Sequence, residues 1–137
     1  MLSKKPVLTS QELEIMKVVW RSGASTVRDV YETLLENRKI AYTTVMTMMN
    51  ILEQKGYLKK SQKDRAYVYQ ATRPQKQVIR GMVREFVDRV FNGSAEPLLL
   101  HLVEDRQLSQ QDIEEIRRML RESSGKKPRN SDGSAGV

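Results

Sequence analysis

Cysteine is missing from this 137-residue chain, which excludes a disulfide framework, a thiolate metal site and a cysteine nucleophile. Histidine occurs once, at His101 amid leucines and without companion ligands, so it reads as a packing or interface residue. No apolar run approaches the roughly 18 residues of a membrane span, and the opening MLSKKPVLTS has no apolar core of the kind that marks export. The expectation is a cytoplasmic protein without membrane insertion. Catalytic groupings are wanting too. Glu104-Asp105 and Glu114-Glu115 are carboxylate pairs, but neighbours on a helix point about 100° apart, so they read as solvated faces. Ser10, Ser25 and Ser109 stand where helices begin and read as caps. Met46, Met48 and Met49 suit gap-filling better than soft-metal binding. No enzyme activity, no metal and no cofactor are expected.

What the chain does have is positive charge, unevenly placed. The formal net charge is +7. Met1–Ala71 carries twelve Lys/Arg against seven Asp/Glu, whereas Thr72–Glu122 carries nine of each. The excess therefore lies in the first half and points to a polyanionic partner there.

The stretch IAYTTVMTMMNILEQKG, residues 40–56, reads as one helix with two chemistries. At 100° per residue, Val45, Met48, Met49 and Leu52 gather on a core-facing side. Thr43, Thr47, Asn50 and Gln54 gather opposite, flanked by Thr44 and Met46. That second face is polar but uncharged, in a chain with 30% charged residues, where a solvated face would carry Lys and Glu. Short hydroxyl and amide side chains suit close approach to base edges. Just beyond, KGYLKKSQKDR supplies Lys55, Lys59, Lys60, Lys63 and Arg65 against a single acid. A neutral reading face followed by a basic hairpin suits double-stranded DNA, the wing cations taking the backbone phosphates.

The flanking segments complete a winged helix. Thr9-Ser10-Gln11-Glu12 has capping-box spacing, and the helix it starts carries Leu13, Ile15, Met16, Val19 and Trp20 before stopping at Ser22-Gly23. Ser25 or Thr26 caps a second helix with Val27, Val30, Tyr31, Leu34 and Leu35 on its buried side. After the reader helix come two short strands, 57–60 and 66–70, joined by a polar loop over 61–65. Tyr67 and Tyr69 share one strand face and read as core contacts rather than base-stacking platforms. Three helices and a two-stranded wing make residues 1–72 a DNA-binding domain within a mainly α fold.

From Pro74 the pattern changes. Val78, Ile79, Met82, Val83, Phe86, Val87, Val90 and Phe91 form a broad stripe on a long helix broken at Asn92-Gly93. Leu98, Leu99, Leu100, Leu102 and Val103 make a second apolar segment, and Ile113, Ile116 and Leu120 share a face on a third helix. Three helices in about 50 residues are marginal alone. Residues 73–122 therefore read as a helical dimerisation domain whose partner is its own copy. The tail, residues 123–137, is rich in Ser, Gly, Pro and Lys and is expected to be disordered. The alternative to DNA binding is a winged-helix protein–protein interaction module, which has little need of a basic wing beside a Thr/Asn face.

LTSQELEIMKVVW (8–20), AYTTVMTMMNILEQKGYL (41–58) and RAYVYQA (65–71) resemble the penicillinase-repressor (BlaI/MecI) family of bacterial transcriptional regulators. FVDRVFNGSAEPLLLHLVEDRQLSQQDIEEIRRML (86–120) is similar to that family's dimerisation domain. The resemblance implies a homodimeric repressor on a palindromic operator, with Thr43, Thr44 and Thr47 reading bases and Lys59, Lys60, Lys63 and Arg65 on the wing. It further implies relief by proteolysis in the dimerisation domain, through a membrane sensor protease acting directly or indirectly. His101-Leu102 matches the cleavage position, in place of the Asn-Phe bond of the best-known relatives. Some family members carry arginines where this chain has Met46 and Ile51, which separates its operator preference from theirs.

Overall fold

The computed structural model describes residues 7–124. The order is α1 (Ser10–Ser22), α2 (Val27–Leu35), α3 (Tyr42–Gln54), β1 (Leu58–Lys63), β2 (Ala66–Ala71), α4 (Gln75–Phe91), α5 (Glu96–Glu104) and α6 (Gln110–Ser124). The fold is mainly α, a winged helix-turn-helix followed by further helices. It divides into two compact units, 1–85 and 86–137. No helix among the described residues is long and apolar enough to cross a membrane.

In the first unit, local chemistry sets each helix boundary. Thr9 and Glu12 form a reciprocal capping box at the start of α1, and Gly23 ends that helix at a φ of 83°. Thr26, not Ser25, caps α2 through a second box with Asp29. Ser25 is instead buried and pairs with Tyr69 through two backbone hydrogen bonds of 3.0 and 2.8 Å, an isolated antiparallel bridge on the outer side of β2. α3 ends on Gly56, whose φ of 89° allows Tyr57 N–H to reach Leu52 O and Gly56 N–H to reach Glu53 O. This Schellman arrangement satisfies two carbonyls that the helix end would otherwise orphan.

Ile15, Met16, Val19, Val30, Val45, Met49 and Leu52 form the centre of the core, each almost wholly buried. Leu35, expected on the buried side of α2, is exposed. The wing is longer than its expected strands: β1 and β2 pair antiparallel from Leu58↔Ala71 to Lys63↔Ala66. Only Asp64 and Arg65 turn the chain, with Asp64 at a φ of 58°, a conformation Asp tolerates better than most residues. Ser61, Gln62 and Lys63 are strand residues that look like loop residues, because the hairpin there extends past the core and both its faces are solvated.

α4 does not belong wholly to the second unit. Val78 is part of the first core and Met82 packs against it, which moves the division between units from the expected 72/73 to 85/86. These two side chains, expected at a dimer interface, thus find their apolar partners within the chain. In the second unit, Ser109 and Asp112 form a capping box for α6. That helix continues through Ser123 and Ser124, two residues into the expected tail; the remainder of the tail lies outside the described residues.

Candidate nucleic-acid interface

α3 packs on the core along one side and meets the wing through Asn50 and Tyr69. Val45, Met49 and Leu52 are buried, which turns Thr43, Thr44 and Thr47 outward, all three exposed. Gln11 of α1 and Met48 join these threonines around a shallow depression. The N-cap position of α3 is Ala41, with no side-chain cap and no acid in the first turn, unlike α1 and α2. The positive end of the α3 dipole is therefore not offset by an acid of its own first turn.

Asn50, expected to read bases, sits half-buried at the junction of helix and wing. Its carboxamide oxygen accepts a 2.9 Å hydrogen bond from the Tyr69 hydroxyl. Burial, with a smaller contribution from Glu53, raises the pKa of Tyr69 above the ordinary phenol value, so that hydroxyl keeps the proton it donates. The contact ties α3 to β2, a link that spacing alone does not disclose.

Lys55 also differs from its sequence-based assignment. Its Nζ lies 2.7 Å from the buried Glu12 carboxylate and 3.3 Å from the Val7 carbonyl. Burial acts to raise the Glu12 pKa; the Lys55 ammonium and the Thr9 N–H and hydroxyl together outweigh it and hold the carboxyl below its ordinary value. The charge of Lys55 is spent inside the protein and not on the wing. Lys59, Lys60, Lys63 and Arg65 are exposed. Among them Lys60 lies over aromatic rings, its ammonium 4.7 Å from the Tyr67 centroid and 5.9 Å from that of Tyr69.

The model of the family described as penicillinase repressor matches residues 8–122, nearly the whole described chain. The chain belongs to the penicillinase repressor family. Over 126 residues it is 29% identical to the penicillinase repressor of Bacillus licheniformis, spanning 92% of this chain and 98% of that one. It is 25% identical over 113 residues to the methicillin resistance regulatory protein MecI of Mammaliicoccus sciuri, spanning 82% and 92% respectively. The solution structure of monomeric Bacillus licheniformis BlaI in complex with the blaP half-operator aligns with a TM-score of 0.47 at 28% identity, over 55% of this chain and 92% of that chain.

Two residues of this penicillinase repressor family member stand at the start of α3 without having been singled out from sequence. Arg28 of α2 lies 5.6 Å over the Tyr42 ring, and Tyr42 meets Tyr31 edge-on at 5.3 Å. The arginine is well exposed and only loosely paired with Glu32, at 3.6 Å. The signal was available: Arg28 is in the first turn of α2 and Tyr42 is the first residue of α3, the two helix starts that a helix-turn-helix brings together.

The second unit has a different character. Nothing in α5 is buried, although five of its nine residues are aliphatic. Phe86, Val90, Leu99 and Leu120 are exposed, while Leu98, Leu102, Ile113 and Ile116 are half-buried; on the part of α4 that belongs to the first unit, Val83 is exposed and Ile79 half-buried. His101 is exposed, its ring 6.0 Å from that of Phe91.

Proposed function

We propose that this chain is a sequence-specific DNA-binding transcriptional repressor that acts as a homodimer on a palindromic operator in the bacterial cytoplasm. The observation that carries the reading is the exposed, uncharged Thr43/Thr44/Thr47 face of α3, set beside a hairpin with four exposed cations. Hydroxyls hydrogen-bond base edges in the major groove, and cations displace counterions from phosphates. Support for the homodimer comes from the aliphatic side chains that α5 leaves uncovered, and a two-fold protein matches a two-fold site. Relief of repression by proteolysis at His101-Leu102, through a membrane sensor protease acting directly or indirectly, is the finer part of the proposal. That bond lies inside helix α5, so a protease acts on a locally opened state.

The test is Thr47→Ala on the tightest duplex the full chain selects from a randomised pool. The substitution costs about 1–3 kcal/mol on that site and relaxes preference at one base pair. An equal loss on random duplex would refute the base-reading assignment.

A further inference from the structure

The wing has two unlike faces, and its cations divide between them. In the antiparallel register Leu58, Lys60 and Gln62 stand opposite Ala71, Tyr69 and Tyr67, so these six share one face. Lys59 and Lys63 project from the other face, with Ser61, Gln70, Val68 and Ala66. The first face begins in the core at Leu58 and Tyr69, both buried, and leaves it at Tyr67, which is 54% exposed. It is also the face that meets the reader helix, because the Tyr69 hydroxyl bonds Asn50. Lys60 is therefore the strand cation on the α3 side of the wing, with its ammonium over the exposed Tyr67 ring.

We propose that Tyr67 is a positioning residue for DNA binding: it holds Lys60 against one phosphate of the strand that passes between reader helix and wing. The inference rests on the DNA-binding reading above and assigns that phosphate contact to Lys60 rather than to the wing cations alike. A lysine side chain free in water loses much rotamer freedom when it grips a phosphate. An ammonium already resting on an aromatic face has given up part of that freedom before DNA arrives. Lys59 has no ring beneath it in the register and acts through general attraction, independently of Tyr67.

A double-mutant cycle on the full chain separates these roles, with affinity for its selected duplex measured between 50 and 200 mM salt. Lys60→Ala lowers the slope of log affinity against log salt by about one, so the affinity lost over that range shrinks by about three- to fourfold. Tyr67→Ala lowers affinity with Lys60 present and has little further effect in the Lys60→Ala background. Tyr67→Phe keeps the ring and restores most of the affinity that Tyr67→Ala loses. Lys59→Ala and Tyr67→Ala combine additively. Additive losses for Lys60 and Tyr67, or an unchanged salt slope in Lys60→Ala, would overturn the inference while wild-type binding stands. A wild-type chain that selects no duplex would overturn the DNA-binding reading itself.

Discussion

Glu12 is nearly inaccessible to water, and its environment keeps it charged. Its carboxylate caps α1 through Thr9 and pairs with Lys55, so one side chain joins the first helix to the end of the third. Because its folded pKa lies below the ordinary 4.5, the stabilisation is complete above that value and disappears as pH falls through the folded pKa. Glu12→Gln keeps the shape and the cap geometry but leaves the Lys55 charge uncompensated. It should cost about 1–3 kcal/mol at pH 7. Urea midpoints of the two proteins should converge as pH falls through the folded pKa of Glu12. A gap that persists undiminished there would assign the cost to packing rather than charge.

Among the elements, α3 shows how much a helix depends on its stop. Gly56 occupies a left-handed conformation at φ 89°, and the chain must turn there for Tyr57 and Leu58 to enter the core. Gly56→Ala should destabilise the protein by about 1–2 kcal/mol, read as a lower midpoint in denaturant with an unchanged slope. No change would mean that the turn tolerates a Cβ. This stop was legible in sequence, as were the Thr9/Glu12 box and the threonine face, since each depends on residues within one or two turns of each other. The extent of β1 was not, because solvated strand residues and loop residues are equally polar. The ion pair that withdraws Lys55 from the wing joins positions 43 apart, and no local pattern announces it. Asn50, expected on the base-reading face, is half-buried and accepts a hydrogen bond from Tyr69 of β2, a partner 19 positions away. Tyr67, read as a core residue by its alternation with Tyr69, lies beyond the point where the core ends.

At the scale of the molecule, the first unit completes its core only with the start of α4. A chain ending at Glu85 retains Val78 and Met82 and should fold as a monomer, whereas one ending at Arg73 should be less stable by about 2–4 kcal/mol from their lost burial. Equal unfolding midpoints for the two truncations would contradict this account of the core. The full chain should sediment as a dimer at micromolar concentration, and paired replacement of the exposed Leu99 and Val103 by Ser should return it to a monomer. If the substituted protein kept the wild-type sedimentation coefficient, the dimer contact would lie elsewhere than α5.

The only tryptophan, Trp20, closes the first unit by donating its indole N–H to the Arg73 carbonyl at 2.9 Å. Its emission is therefore a private channel for that unit, silent about the helices from Phe86 onward. Circular dichroism at 222 nm, in contrast, sums over every helix. Recording both during one titration with denaturant would let a single wild-type sample report two transitions. The fluorescence curve should be indifferent to protein concentration if the first unit stands alone, while the ellipticity curve should shift with it.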